Sequence, residues 1–219
     1  MSYLGMIFGK IGVEEPAFEL LFTRSLTSPQ TPYEIRRYGK RYAIETTMEP
    51  SEKTSSPFMA LAGYIGVTKA PENEKKEAIA MTAPVAMDKN HQSGVRTMKF
   101  ILPSSYDDLT KIPKPTNADK VTIKELAPAV GAVHRFSGSF DESKCHDKVR
   151  ALASQLLIDG VDLPKGDDGL VALDKIKYEW WGFNPPFTLP FLKRNEVWIE
   201  LDETQVEKLI ASQTKDSES

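Results

Sequence analysis

The apolar residues of this chain run through one order of periods twice, and that repetition limits what the chain can fold into. Residues 33–38 (YEIRRY) and 42–47 (YAIETT) alternate as extended segments, and Gly39-Lys40-Arg41 between them suits a hairpin turn. Apolar residues at 58, 61, 62 and 65 then take the spacing of a buried helix face, with Pro57 fitted to its first turn and Gly66 to its end. Residues 79–87 (IAMTAPVAM) and 97–102 (TMKFIL) return to alternation, which places Ile79, Met81, Ala83, Val85 and Met87 on one strand face. After the proline-rich stretch Ile112-Pro113-Lys114-Pro115 the order recurs. Strands are expected at 120–126 and 130–137, a helix at 142–159, and strands at 175–181 and 195–201. Cys145, Val149, Leu152, Leu156 and Leu157 form the stripe of that second helix, which Asp141 can cap and Gly160 can end.

Two strand-strand-helix-strand-strand halves, about 33–111 and 118–201, each have one apolar sheet face and one amphipathic helix. They can close on each other as a single eight-stranded antiparallel α+β unit. Residues 1–32 are read as an N-terminal extension. Residues 202–219 are read as a tail, with one short helix before a disordered SQTKDSES. At 219 residues with 40% hydrophobic side chains the chain can form a substantial core, which rules out wholesale disorder.

Composition removes several functions. With 28 basic against 31 acidic residues the charge is −3, too little positive surplus for a general electrostatic grip on nucleic acid or an anionic membrane. No run of about 18 apolar residues is present to span a membrane. The first residues lack the basic region of a secretory signal, and the single Cys145 suits a reducing compartment such as cytosol. One cysteine and three histidines match no metal-ligand spacing. Neither a Gly-x-Ser-x-Gly elbow nor a phosphate-binding glycine loop occurs.

The remaining candidates for chemistry are few. His134 shares a strand face with Val130, Ala132 and Phe136, as a hydrogen-bonded core histidine or as a metal or haem ligand. Arg37 shares a face with Tyr33 and Ile35, where it forms an ion pair or reaches a ligand acid. His91 lies in a polar turn and is read as solvated, and Cys145 as a small core hydrophobe. Glu34, Glu45 and Glu179 could serve as acid or base if buried beside a cleft, so an enzyme acting on a small apolar ligand is one alternative. The segment 183–192 (FNPPFTLPFL) carries too many apolar side chains to stand loose in water. It packs on the body, docks a protein partner through Pro185–Leu192, or walls an apolar groove. In the groove reading Phe187, Leu189 and Phe191 face Phe58, Met59, Leu61, Ala62 and Ile65 of the first helix. Lys193 and Arg194 then meet ligand acids.

Five segments together resemble the SOUL/haem-binding protein family: YEIRRY at 33–38, GYIG at 63–66, MTAPV at 81–85, FNPPF at 183–187 and RNEVW at 194–198. They stand in the family's order over roughly Tyr33 to Leu201. The wording of 58–66 and 186–190 is similar to the plant and algal cytosolic branch. The resemblance implies a distorted eight-stranded antiparallel β-barrel of two pseudo-symmetric ββαββ halves with two main helices. It also implies non-covalent, reversible binding of haem or another tetrapyrrole between the first helix and the loop before Arg194, as a carrier or buffer. Where some members have a histidine proposed as iron ligand this chain has Arg37, and 55–65 holds no basic residue. The implied haem is therefore weakly ligated or not ligated axially.

Overall fold

A computed structural model describes residues 11–217, and among these described residues are nine strands and three α-helices. The strands are β1 (Phe18–Arg24), β2 (Tyr33–Tyr38), β3 (Arg41–Met48), β4 (Val85–Lys89), β5 (Arg96–Ile101), β6 (Thr122–Leu126), β7 (Ala129–Phe136), β8 (Tyr178–Gly182) and β9 (Asn195–Leu201). The helices are α1 (Ser55–Ile65), α2 (Glu142–Ile158) and α3 (Glu203–Ser217). All sit with one antiparallel sheet, ordered β1-β2-β7-β9-β8-β4-β5-β3-β6.

The two halves are present, with one exchange. β2 leaves its own half to pair with β7, and β6 leaves the other half to pair with β3. The four-strand sets 2-7-9-8 and 6-3-5-4 are then equivalent and meet at the β8–β4 seam. This overturns the expected hairpin. Residues 39–40 carry the chain from one half-sheet to the other, and β2 and β3 do not pair. The barrel expectation is also corrected. Closure would need β2 to meet β6, but β1 occupies the outer edge of β2, so among the described strands the sheet stays open.

Three further differences are local. The strand expected over 79–87 begins only at Val85, because Pro84 has no N–H for a ladder; Thr82 before it gives its hydroxyl hydrogen to the Ile101 carbonyl. β1 lies within the stretch read as an extension. α3 extends to Ser217, through most of the segment expected to be disordered, and residues 1–10, the first part of the start read for a signal, lie outside the described ones.

α1 ends as its sequence suggests, with Gly66 in the left-handed region at φ +83° and its N–H on the carbonyls of Ala62 and Gly63. Asp141 caps α2 by accepting from the Lys144 N–H at 2.9 Å. α1 packs over β3 and β5, and α2 over β9 and β7, the equivalent pair. The main core lies between this sheet face and the helices, with Ile35, Ile44, Leu61, Leu152, Leu156, Val197 and Ile199 fully buried. The opposite face carries a smaller aromatic cluster of Tyr38, Trp181, Phe183 and Trp198.

Candidate ligand-binding groove

Alternation on three adjacent strands decides what lies between the helix N-termini. Gly182 of β8 pairs with Val85 of β4, which pairs with Phe100 of β5; the next row on the same face is Trp180, Met87 and Met98. One row further, Lys89 stands directly opposite Arg96. The floor is thus two apolar rows ending in a pair of cations.

α1 and α2 do not cover this floor completely. Thr54, Ser55, Phe58 and Met59 form one wall; Phe140, Asp141 and Glu142 form the other, with Asn184 and Pro186 at one side. These residues, with Val85, Met87, Arg96, Met98, Trp180 and Gly182, bound an open groove of about 580 Å³, within the usual range of small-molecule sites. The Phe58 ring packs edge-on against Phe100 at 5.3 Å, and Met59 stands 48% exposed at the rim. Gly182 matters here: a Cβ on it would come within 3.0 Å of the Phe140 ring, so glycine lets that ring lie against the floor. A larger cavity of about 680 Å³ is lined by Lys89, His91, His146, Arg150 and three aspartates among others. Its charged walls suit an apolar ligand poorly.

At the polar end Glu142 accepts from Lys89 Nζ at 2.6 Å and lies 3.5 Å from Arg96 Nη1. Burial alone would raise the Glu142 carboxyl, but the Lys89 hydrogen bond and the charges of Lys89, His146 and Arg96 outweigh it and hold the group below its ordinary value.

The structure brings together only part of the residue set expected from sequence. Phe58 and Met59 line the groove. Leu61, Ala62 and Ile65 face the core instead, at 0 to 2% exposure, because they lie on the side of α1 turned to the sheet. Phe187, Leu189 and Phe191 do not line the groove and are exposed, Phe191 by 71%. The Lys193 amine is turned onto the Pro186 carbonyl at 3.0 Å. Arg37 is in ion pairs with Glu19 and Glu203 at 2.7 Å on the surface. His134 is buried under the far half, its Nδ1–H on the Pro32 carbonyl at 2.7 Å and its ring stacked on Phe136. These last two are the ion-pair and core alternatives. Arg194, expected beside Lys193, is held by Glu15 and Glu196 on the other sheet face.

Other candidates also find structural partners. Cys145 is fully buried, and burial pushes its thiol up to about 12. His91 is not merely solvated: its Nε2 lies 2.8 Å from the Tyr178 hydroxyl, which also meets His146 Nε2 at 3.3 Å. Glu179 is partly buried on the opposite face; burial would raise it, but Lys99 and the Trp181 N–H hold it low. Met87, Met98, Trp180, Phe140, Arg96 and Glu142 were not among the expected site residues. The alternation of 97–102 places Met98 on one face with Phe100 and Leu102, and only its continuation to residue 96 adds Arg96 to that face.

His134 has a measurable consequence. Burial holds its imidazole below the ordinary value, against the Pro32 hydrogen bond and with a smaller push from Lys148. The unfolded chain therefore binds the proton first, and stability falls as pH drops below about 6.5 toward the folded value. Urea unfolding of His134→Asn, which keeps an N–H for Pro32, is expected to lose less stability than wild type between pH 7 and pH 5. Equal losses would contradict this assignment.

A family model described as SOUL heme-binding protein matches residues 13–200. No curated protein matches the chain. Among solved structures, the C-terminal domain of EcmrR aligns with a TM-score of 0.52 at 9% identity, covering 78% of this chain and 96% of that one. A hydrolase from Listeria innocua aligns at 0.48 and 12% identity, covering 80% and 94%. At these identities the likeness to EcmrR is one of fold.

Proposed function

The chain belongs to the SOUL haem-binding protein family, and we propose that it holds haem or a related tetrapyrrole, reversibly and without a covalent bond, in the groove between α1 and the start of α2. The observation that carries this reading is the groove between the two helices, walled by Phe58, Met59 and Phe140 and floored by Val85, Met87, Met98 and Trp180, the last three keeping 2 to 5% of their surface exposed. Such a surface suits a flat apolar macrocycle. Burying a few hundred Å² at about 25 cal/mol/Å² supplies several kcal/mol before ordering costs, which corresponds to a dissociation constant on the order of micromolar.

The groove lining contains no imidazole, thiol or phenol, and the thioethers of Met59, Met87 and Met98 are the soft donors it offers an iron. In this reading the macrocycle is held mainly by its faces, with exchange fast enough for a carrier or buffer. A chain with one cysteine forms no internal disulfide, and a reducing compartment such as cytosol is proposed as its place of action. Titration with haem is expected to give a saturable one-to-one shift of the Soret band in the low micromolar range. No saturable shift below tens of micromolar would overturn the proposal.

A further inference from the structure

We infer that the groove is shaped for a flat apolar ligand carrying a carboxylate on one edge, and that this carboxylate takes the seat on Arg96 now held by Glu142. The inference rests on the binding role proposed for the groove and adds the ligand's orientation and acid chemistry to it.

The charge arrangement at the end of the floor carries the argument. Lys89 and Arg96 are cross-strand partners, and like charges placed directly opposite destabilise a sheet unless something neutralises them. Glu142, in the first turn of α2, is the carboxylate that faces both. It divides itself unevenly, 2.6 Å from Lys89 and 3.5 Å from Arg96. Asp141, also in the lining, is turned into its own helix as the cap of α2. Two cations thus share one close carboxylate, and Arg96 has the weaker part.

Arg96 is also fixed in place. Its Nη2 donates to the carbonyls of Glu52 at 2.9 Å and of Glu49 and Pro50 at 3.4 Å, which leaves the Nη1 side toward Glu142 and the groove. Arg96 lines the groove, whereas Lys89 faces the neighbouring cavity. A ligand lying on the Met87–Met98 row therefore brings an edge substituent to Arg96 first. Glu142 can remain on Lys89, so that two carboxylates then balance two cations. The Nη1 of Arg96 can donate to such a group in a charge-assisted hydrogen bond while Nη2 stays on the backbone carbonyls.

The experiment compares zinc protoporphyrin IX with its dimethyl ester by quenching of tryptophan fluorescence. Wild type is expected to bind the free acid about tenfold more tightly than the ester. Arg96→Gln should bring the two to within about twofold, and Glu142→Gln should raise affinity for the acid and leave the ester unchanged. Equal binding of acid and ester by wild type would overturn the inference and leave the groove reading intact. So would an acid preference that survives Arg96→Gln. Binding of neither ligand would overturn both. If Arg96→Gln fails to fold, Glu142→Gln decides alone, since an unchanged affinity for the acid contradicts competition for one seat. Palmitate, which offers the same carboxylate on an aliphatic chain, is expected not to displace the porphyrin at equal concentration; displacement would overturn the ring part of the inference.

Discussion

Truncating Phe58 to alanine is expected to weaken tetrapyrrole binding by about ten- to a hundred-fold, while Phe191→Ala leaves affinity within about twofold. Phe58 presents its ring to the groove from the first turn of α1 and is braced behind by Phe100. Removing it takes away about 1.5–3 kcal/mol of apolar contact, which corresponds to that range of affinity. Phe191 stands 71% exposed outside the groove. Both variants should keep the wild-type circular dichroism spectrum. Equal losses from the two substitutions would move the site to the loop and contradict the groove described here.

The largest effect on stability is expected on the opposite face of the sheet. Glu196 is fully buried on β9 between Arg36, whose Nη1 lies 2.8 Å away, and Arg194, whose Nε lies 2.9 Å away. Burial alone would lower the Arg36 guanidinium, but the Glu196 charge and hydrogen bond more than offset it and raise it. Glu196→Ala leaves two guanidinium groups short of their shared carboxylate, and losing one partner of a buried pair costs about 3–5 kcal/mol. For a domain of this size the melting temperature should fall by roughly 10 °C. Glu196→Ala is nevertheless expected to bind a tetrapyrrole with wild-type affinity below its melting point, because residue 196 alternates away from the groove. A melting temperature within about 2 °C of wild type would contradict the role given to this pair.

The parts of the fold that could be read from sequence are those set by local period. Alternation placed most strands, and the 3.6-residue stripe placed both helices within a few residues, because each signal depends only on which face of an element is buried. Pairing was not readable. Tyr33–Tyr38 and Arg41–Met48 are separated by a glycine-containing turn, as hairpin strands are, yet β2 exchanges into the other half. Nothing between residues 38 and 41 distinguishes the two outcomes. β1 escaped notice because FELLFTR does not alternate, which reflects its place as an edge strand with no fully buried residue.

The site divides along the same line. Phe58 and Met59 were readable as groove residues because they lie at the start of an apolar helix, and the family resemblance directed attention there. Met87 and Met98 were readable only as core-facing. Whether a core-facing row is covered depends on how far α1 and α2 stand apart, and no local pattern encodes that separation. Arg96 and Glu142 are 46 residues apart in the chain and meet only because α2 begins over the β4–β5 hairpin.

The most direct test of the central claim uses methionine methyl groups as local probes. Met59, Met87 and Met98 line the groove, whereas Met48 is fully buried in the core. In protein labelled with ¹³C-methyl methionine, a bound diamagnetic zinc protoporphyrin would shift methyl resonances near its ring faces. The account predicts saturable shifts of Met59, Met87 and Met98 with Met48 unmoved. Saturable porphyrin binding that leaves those three resonances in place would contradict it.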